Sequence, residues 1–121
     1  NIIVKSFIKD INIAYSCSDI VVSRAGALTI EELKLFGKTM ILVPYPQAAN
    51  NHQELNALDL VNKKAAYLVK QSNLENELIN TINYLLKNSD KANTMARNAE
   101  NLYHPNAIGL ITNAIKEYLD V

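Results

Sequence analysis

Short apolar runs rich in β-branched residues alternate, through the first part of the chain, with segments whose apolar positions recur at helical spacing. Ile2 to Lys5 predicts a short strand, and Ile11 to Ser16 a short helix that Asp10 caps. Asp19 to Ser23 reads as a strand, Thr29 to Phe36 as a helix stopped by Gly37, and Thr39 to Val43 as a strand closed by Pro44. Asn51 to Lys63 places Leu55, Leu58 and Val61 on one helical face, and Ala65 to Val69 follows as a further strand. This alternation predicts an α/β fold, a parallel sheet with helices on both faces. From Ser72 the pattern turns helical. Leu74, Leu78, Ile82, Leu85 and Leu86 keep helical spacing, Lys91 to Leu102 continues it more weakly, and Ala107 to Leu119 gives a last amphipathic stretch after Pro105. These segments read as helical cladding.

The chain has 121 residues, 49% of them hydrophobic, which predicts a single domain over 1–121 with a real core. Twelve Lys plus Arg balance twelve Asp plus Glu, so no net field gathers nucleic acid or an anionic membrane. Basic, aromatic-interleaved patches are also missing, and nucleic acid is not an expected partner. The single cysteine, Cys17, permits no internal disulfide and points to a reducing compartment, the cytosol by default. That cysteine and two histidines fifty-two residues apart supply no metal-ligand spacing, so no metal and no other cofactor is expected. No apolar run is long enough to span a bilayer, and no signal-peptide pattern opens the chain. The start at Asn1 runs directly into Ile2-Ile3-Val4, a strand type that normally has neighbours on both sides, so a piece of a longer protein is expected.

In such a sheet ligands bind beyond the carboxyl ends of the strands. The first loop there, Ser23 to Leu33, is a small-residue turn leading into a helix whose first amides face the crevice and attract phosphate. It carries neither G-x-G-x-x-G nor the Walker pattern. Thr29-Ile-Glu-Glu32 also fits a capping box, with Glu32 folded back onto the amide of Thr29 and worth about 1 kcal/mol. Likewise Arg24 reads as a surface charge or half of an ion pair, and Gly26 as the residue of a tight turn. The second loop, Pro44 to Asn56, is long and polar, and its His52, Gln53 and Asn56 suit hydroxyl groups such as those of a sugar. His52 alone reads equally as a cap or surface histidine, and His104 beside Pro105 as structural. No nucleophile elbow and no paired acid and base emerge, so no catalytic residue is assigned.

The run Ser18 to Leu33, followed by Gly37-Lys-Thr-Met-Ile-Leu-Val-Pro-Tyr-Pro46 and His52-Gln-Glu-Leu-Asn-Ala57, resembles the C-terminal domain of the MurG family of peptidoglycan glycosyltransferases, in glycosyltransferase family 28. The resemblance covers essentially the whole chain in order. It implies the donor half of a metal-independent, inverting GT-B enzyme with two Rossmann-like domains. Such an enzyme transfers N-acetylglucosamine (GlcNAc) from UDP-GlcNAc to the undecaprenyl-linked lipid I, forming lipid II. On that resemblance Ile8 meets the uracil through its backbone, and Ala27, Leu28 and Thr29 present amides and a hydroxyl to the diphosphate. Ile30 and Glu31 continue the binding run, Glu32 holds the ribose hydroxyls, and His52 and Gln53 contact hydroxyls of the sugar. The family's glycine-rich motif and its N-terminal domain, which carries the presumed base, the lipid I site and the membrane-facing patch, are not in this sequence. His52 stands where the family often has another side chain.

The resemblance therefore implies a chain inactive alone, with the full-length enzyme lying peripherally on the cytoplasmic face of the bacterial inner membrane. Two other expectations compete with a truncated donor half. One is a stand-alone UDP-GlcNAc-binding subunit completed by a partner chain; the other is a degenerate, non-catalytic domain.

Overall fold

A computed structural model describes residues 1–119. Its elements run α1 (Ile11–Ser16), β1 (Ile20–Ser23), α2 (Ala27–Leu35), β2 (Thr39–Leu42), α3 (His52–Asn62), β3 (Ala66–Leu68), α4 (Leu74–Lys87), α5 (Ser89–Asn101) and α6 (Ala107–Tyr118). The three strands form one parallel sheet in chain order, with Ile20 opposite Thr39 and Met40 opposite Ala66. Every residue of β2 is buried, as a strand covered on both faces requires.

Alternate residues of β2 divide the core. Met40 and Leu42 pack with Ile30 and Leu33 of α2 and with Ala57 and Leu60 of α3. Ile41 and Val43 pack on the other side with Leu85 of α4 and with Ala92 and Met95 of α5. The strand period of two thus feeds two helical layers from one run of four residues. Leu33, Met40, Ile41, Leu42 and Leu60 are fully buried, each worth about 2 kcal/mol of transfer free energy. A buried hydroxyl ties the lower layer to the sheet, with Thr39 donating to the carbonyl of Ala92 at 2.8 Å.

Two helices end in left-handed residues. At Gly37 (φ 55°) the amides of Gly37 and Lys38 bond back to Lys34 and Leu33, and at Lys64 (φ 56°) the amides of Lys64 and Ala65 bond back to Val61 and Leu60. Gly37 meets that demand without strain, whereas Lys64 adopts it with a side chain attached.

Three expectations are corrected. Ile2 to Lys5 is not a strand: among the described residues no strand lies beside it, so its backbone has no ladder to join, and Ile2, Ile3 and Val4 stand exposed. Asp10 occupies the N-cap of α1 without a side-chain bond; its carbonyl accepts from Ile13 instead. The last helix forms over the expected residues, but it is not cladding, since Leu110, Ile111 and Ile115 lie largely open to solvent.

Candidate functional site

The carboxyl end of the sheet is built around the entry to α2. Gly26 is the N-cap, extended at φ −69° and ψ 141°, and the first helical bond runs from the amide of Ile30 to the carbonyl of Gly26 at 3.0 Å. The amides of Ala27, Leu28 and Thr29 therefore precede the helical ladder, and no side chain caps them. Together with the positive end of the α2 dipole they form a ready anion cradle. Gly26 has an ordinary negative φ, and a Cβ built on it would meet nothing within 4 Å. Its tight-turn reading falls, since neither its backbone angles nor a crowding neighbour demands a glycine there.

The capping box is not formed. The N-cap lies three positions before Thr29, so Thr29 is the third residue of the helix and Glu32 the sixth, and neither stands where a capping box needs it. Glu32 instead turns toward α1, where its carboxylate Oε2 accepts from the Tyr15 hydroxyl at 3.1 Å. Tyr15 is itself buried, with its ring packed against Phe36. Burial, followed by the hydrogen bond to Glu32 and its negative charge, raises the Tyr15 pKa above its ordinary 10.0 and keeps the phenol a donor.

Side chains of α3 hold this loop in place. Gln53 Oε1 accepts from the amide of Tyr45 at 2.9 Å and from that of Ala25 at 3.3 Å, while Asn56 Nδ2 donates to the carbonyl of Ala25 at 3.2 Å. Both polar groups of Ala25, a residue with no exposure, are thereby satisfied by one helix. Arg24 is not a free surface charge, and among the described residues it makes no ion pair: its guanidinium donates to the carbonyls of Val43 and Pro44 and lies 5.6 Å from the centre of the Tyr45 ring. The loops after β1 and β2 are thus one connected unit. His52 and Gln53 open α3, preceded by two asparagines in left-handed conformation, Asn50 (φ 51°) and Asn51 (φ 56°).

His52 is exposed, and its Nδ1 donates to the carbonyl of Ala49 at 2.6 Å, the direction a carbonyl partner requires. Ile30 is in the core with its amide in the helical ladder, and Glu31 pairs with Lys34 on the exposed face at 2.6 Å. Ile8 lies before α1, half-exposed, lining an open cavity of about 700 Å³ with Ile3, Val4, Ile13 and Cys17. Of the residues singled out from sequence, the structure joins Ala27, Leu28, Thr29 and Glu32 on one helix end and Gln53 beside them. Tyr15 was missed, because a tyrosine seventeen positions before its carboxylate partner leaves no local pattern.

Among the described residues no group of three His, Cys, Asp or Glu could hold a metal ion, and no helix is long and apolar enough to cross a membrane. Residues 1–111 match the family model described as glycosyltransferase family 28 C-terminal domain. The UDP-N-acetylglucosamine--N-acetylmuramyl-(pentapeptide) pyrophosphoryl-undecaprenol N-acetylglucosamine transferase of Cytophaga hutchinsonii is 44% identical over 97% of this chain and 32% of its own length. The protein of the same name from Desulforamulus reducens is 42% identical over 98% of this chain and 32% of its own. A crystal structure of Acinetobacter baumannii MurG superposes with a TM-score of 0.82 at 35% identity, covering 92% of this chain and 32% of that one. The chain spans about a third of the length of the curated relatives it matches.

Proposed function

The chain belongs to the family of glycosyltransferase family 28 C-terminal domains, and we propose that it supplies the donor-nucleotide site of a MurG-type enzyme. In this reading UDP-GlcNAc binds here, and its sugar passes with inversion to undecaprenyl-diphospho-muramoylpentapeptide, lipid I, to give lipid II. The observation that carries the reading is the uncapped start of α2, with a carboxylate one turn further along the same helix.

The chemistry follows from that helix. The diphosphate lies on the amides of Ala27, Leu28 and Thr29, and the Thr29 hydroxyl adds a further donor. An acceptor hydroxyl attacks the anomeric carbon from the face opposite UDP, the bond from that carbon to the diphosphate oxygen breaks, and its electron pair stays on UDP. Negative charge grows where the helix N-terminus points, so donors fixed in advance stabilise the transition state more than the ground state. One turn along, Glu32 accepts from the two ribose hydroxyls in charge-assisted bonds, which selects ribose over deoxyribose.

With Gln53 Oε1 engaged by two backbone amides, its Nε2 is the group that faces a sugar hydroxyl, and His52 Nε2 offers an acceptor beside it. Ile8 serves the uracil through its backbone, whereas Ile30 and Glu31 contribute by continuing α2 rather than through their side chains. The acceptor site, its activating base and the membrane-facing surface belong to the remaining two thirds of the longer relatives, and the whole enzyme works at the cytoplasmic face of the membrane.

Calorimetric titration with UDP-GlcNAc and UDP-galactose tests the reading. Selective binding of the first, weakened at least tenfold in Glu32→Ala (about 1.4 kcal/mol), is the expected result. A folded chain that binds neither nucleotide sugar sinks it.

A further inference from the structure

We propose that Tyr15 is a positioning residue for nucleotide recognition: its hydroxyl orients the Glu32 carboxylate, and through it sets the preference for ribose over deoxyribose. The inference rests on the reading of Glu32 as the ribose-binding group and adds a residue that does not itself touch the ligand.

A glutamate on a helix surface has three side-chain torsions to restrict, and holding them adds to the free energy lost when a ligand binds. Tyr15 removes part of that loss beforehand. Its ring is fixed twice, by burial and by the tilted contact with Phe36 at 5.5 Å between centroids, so its hydroxyl is a stationary donor. The hydroxyl meets Oε2 of Glu32 at 3.1 Å across a gap of seventeen residues, linking α1 to α2. A carboxylate offers about four acceptor directions, and Tyr15 fills one, leaving the others for a pair of vicinal hydroxyls. Because the phenol remains protonated, this geometry holds throughout the physiological pH range.

The arrangement has a second consequence. Phe36 is the C-cap of α2 and packs with the same core cluster as Tyr15, so the carboxylate is aimed by a contact that also seats the far end of its own helix. The phosphate cradle at one end and the ribose group one turn in are thereby held in fixed relation.

The test is calorimetric titration of the chain with UDP and with 2′-deoxy-UDP, in the wild type and in Tyr15→Phe, Glu32→Gln, the double variant and Phe36→Leu, with circular dichroism confirming the fold of each. Tyr15→Phe retains the ring and loses only the hydroxyl. The expected result is a fivefold to tenfold weaker affinity for UDP, the size of the side-chain ordering that Tyr15 no longer supplies beforehand, with a smaller loss for 2′-deoxy-UDP, which keeps one of the two hydroxyls. The double variant should then bind UDP as Glu32→Gln does, and Phe36→Leu, which loosens the ring but keeps the hydroxyl, should lose less of the preference than Tyr15→Phe. Equal losses for both nucleotides in Tyr15→Phe, an unchanged UDP affinity, or a preference lost equally in Phe36→Leu overturns the proposal. A wild-type chain with no preference for UDP, or Glu32→Gln with undiminished UDP binding, overturns the reading of Glu32 and the positioning role with it.

Discussion

Replacing Gln53 separates the part it plays in the fold from the part it plays at the ligand. Its Oε1 receives two backbone amides, one at 2.9 Å from Tyr45 and one at 3.3 Å from Ala25. Gln53→Ala leaves both without that partner. The Tyr45 amide is near solvent and regains water, whereas Ala25 is wholly buried, so its amide bears most of the desolvation loss. A single net hydrogen bond plus one poorly solvated donor amounts to about 1.5 kcal/mol of lost stability. With a urea slope of about 1.5 kcal/mol per molar, the unfolding midpoint falls by about 1 M. Gln53→Glu preserves the acceptor and places a negative charge in the first turn of α3, where the helix dipole favours it, so its midpoint should match the wild type or exceed it. The same variant loses the amide donor and sets a carboxylate beside the diphosphate cradle, so UDP-GlcNAc binding falls although the fold is intact. Urea titration followed by circular dichroism reads the first effect and calorimetry the second. A Gln53→Ala midpoint equal to wild type, or a Gln53→Glu midpoint as low as that of Gln53→Ala, refutes the clamp.

Other outcomes follow from the same structure. Lys64→Gly relieves a left-handed residue at the end of α3 and should raise stability by about 0.5 kcal/mol net of the freedom glycine adds to the unfolded chain, seen as a higher thermal midpoint. Thr39→Val removes the buried hydroxyl bonded to Ala92 at nearly constant volume and should lower stability by about 1 kcal/mol in urea unfolding. The hydrogen bond from Lys70 to Glu54, at 2.9 Å, with a further bond from Asn51 and the Lys70 charge, holds the Glu54 pKa below its ordinary 4.5. A carboxyl with a depressed folded pKa stabilises above its unfolded pKa and ceases to as pH falls through the folded one. The thermal midpoint of Lys70→Met should therefore fall less steeply than that of the wild type as pH drops below about 4.5; parallel profiles would remove the pair from any account of acid sensitivity.

What the sequence made legible was whatever short-range pattern decides. Ile20 to Ser23 and Thr39 to Leu42 are largely β-branched or apolar runs ended by turn-forming residues, and both are strands close to the expected bounds. The small-residue turn after the first strand, and its lead into a helix, were also readable. Where the reading failed, the deciding contact was distant. Ile2 to Lys5 has a strand's composition, but a strand is a relation to a neighbour, and none lies beside it. Thr29 and Glu32 have the spacing of a capping box, yet α2 already begins after Gly26, so Thr29 stands inside the helix. Gln53 stood out as a polar side chain at the end of a long polar loop, while its clamping of two backbone amides had no signal, since any residue carries an amide.

The sheet order, β1 beside β2 beside β3, has a bearing on how the chain reaches this state. Each strand pairs with the one before it, Ile20 with Thr39 and Met40 with Ala66, so no pairing must wait for a later segment to thread between two earlier ones. The two loops to be closed are of similar length, and under logarithmic scaling their closure entropies differ by only about 0.3 kcal/mol. Neither pairing is thus kinetically privileged by its loop. On a ribosome, where the chain emerges from its amino end, that near-equality leaves the order of assembly to the order of emergence: the turn into α2 and the first two strands can be in place before α3 arrives to lock them.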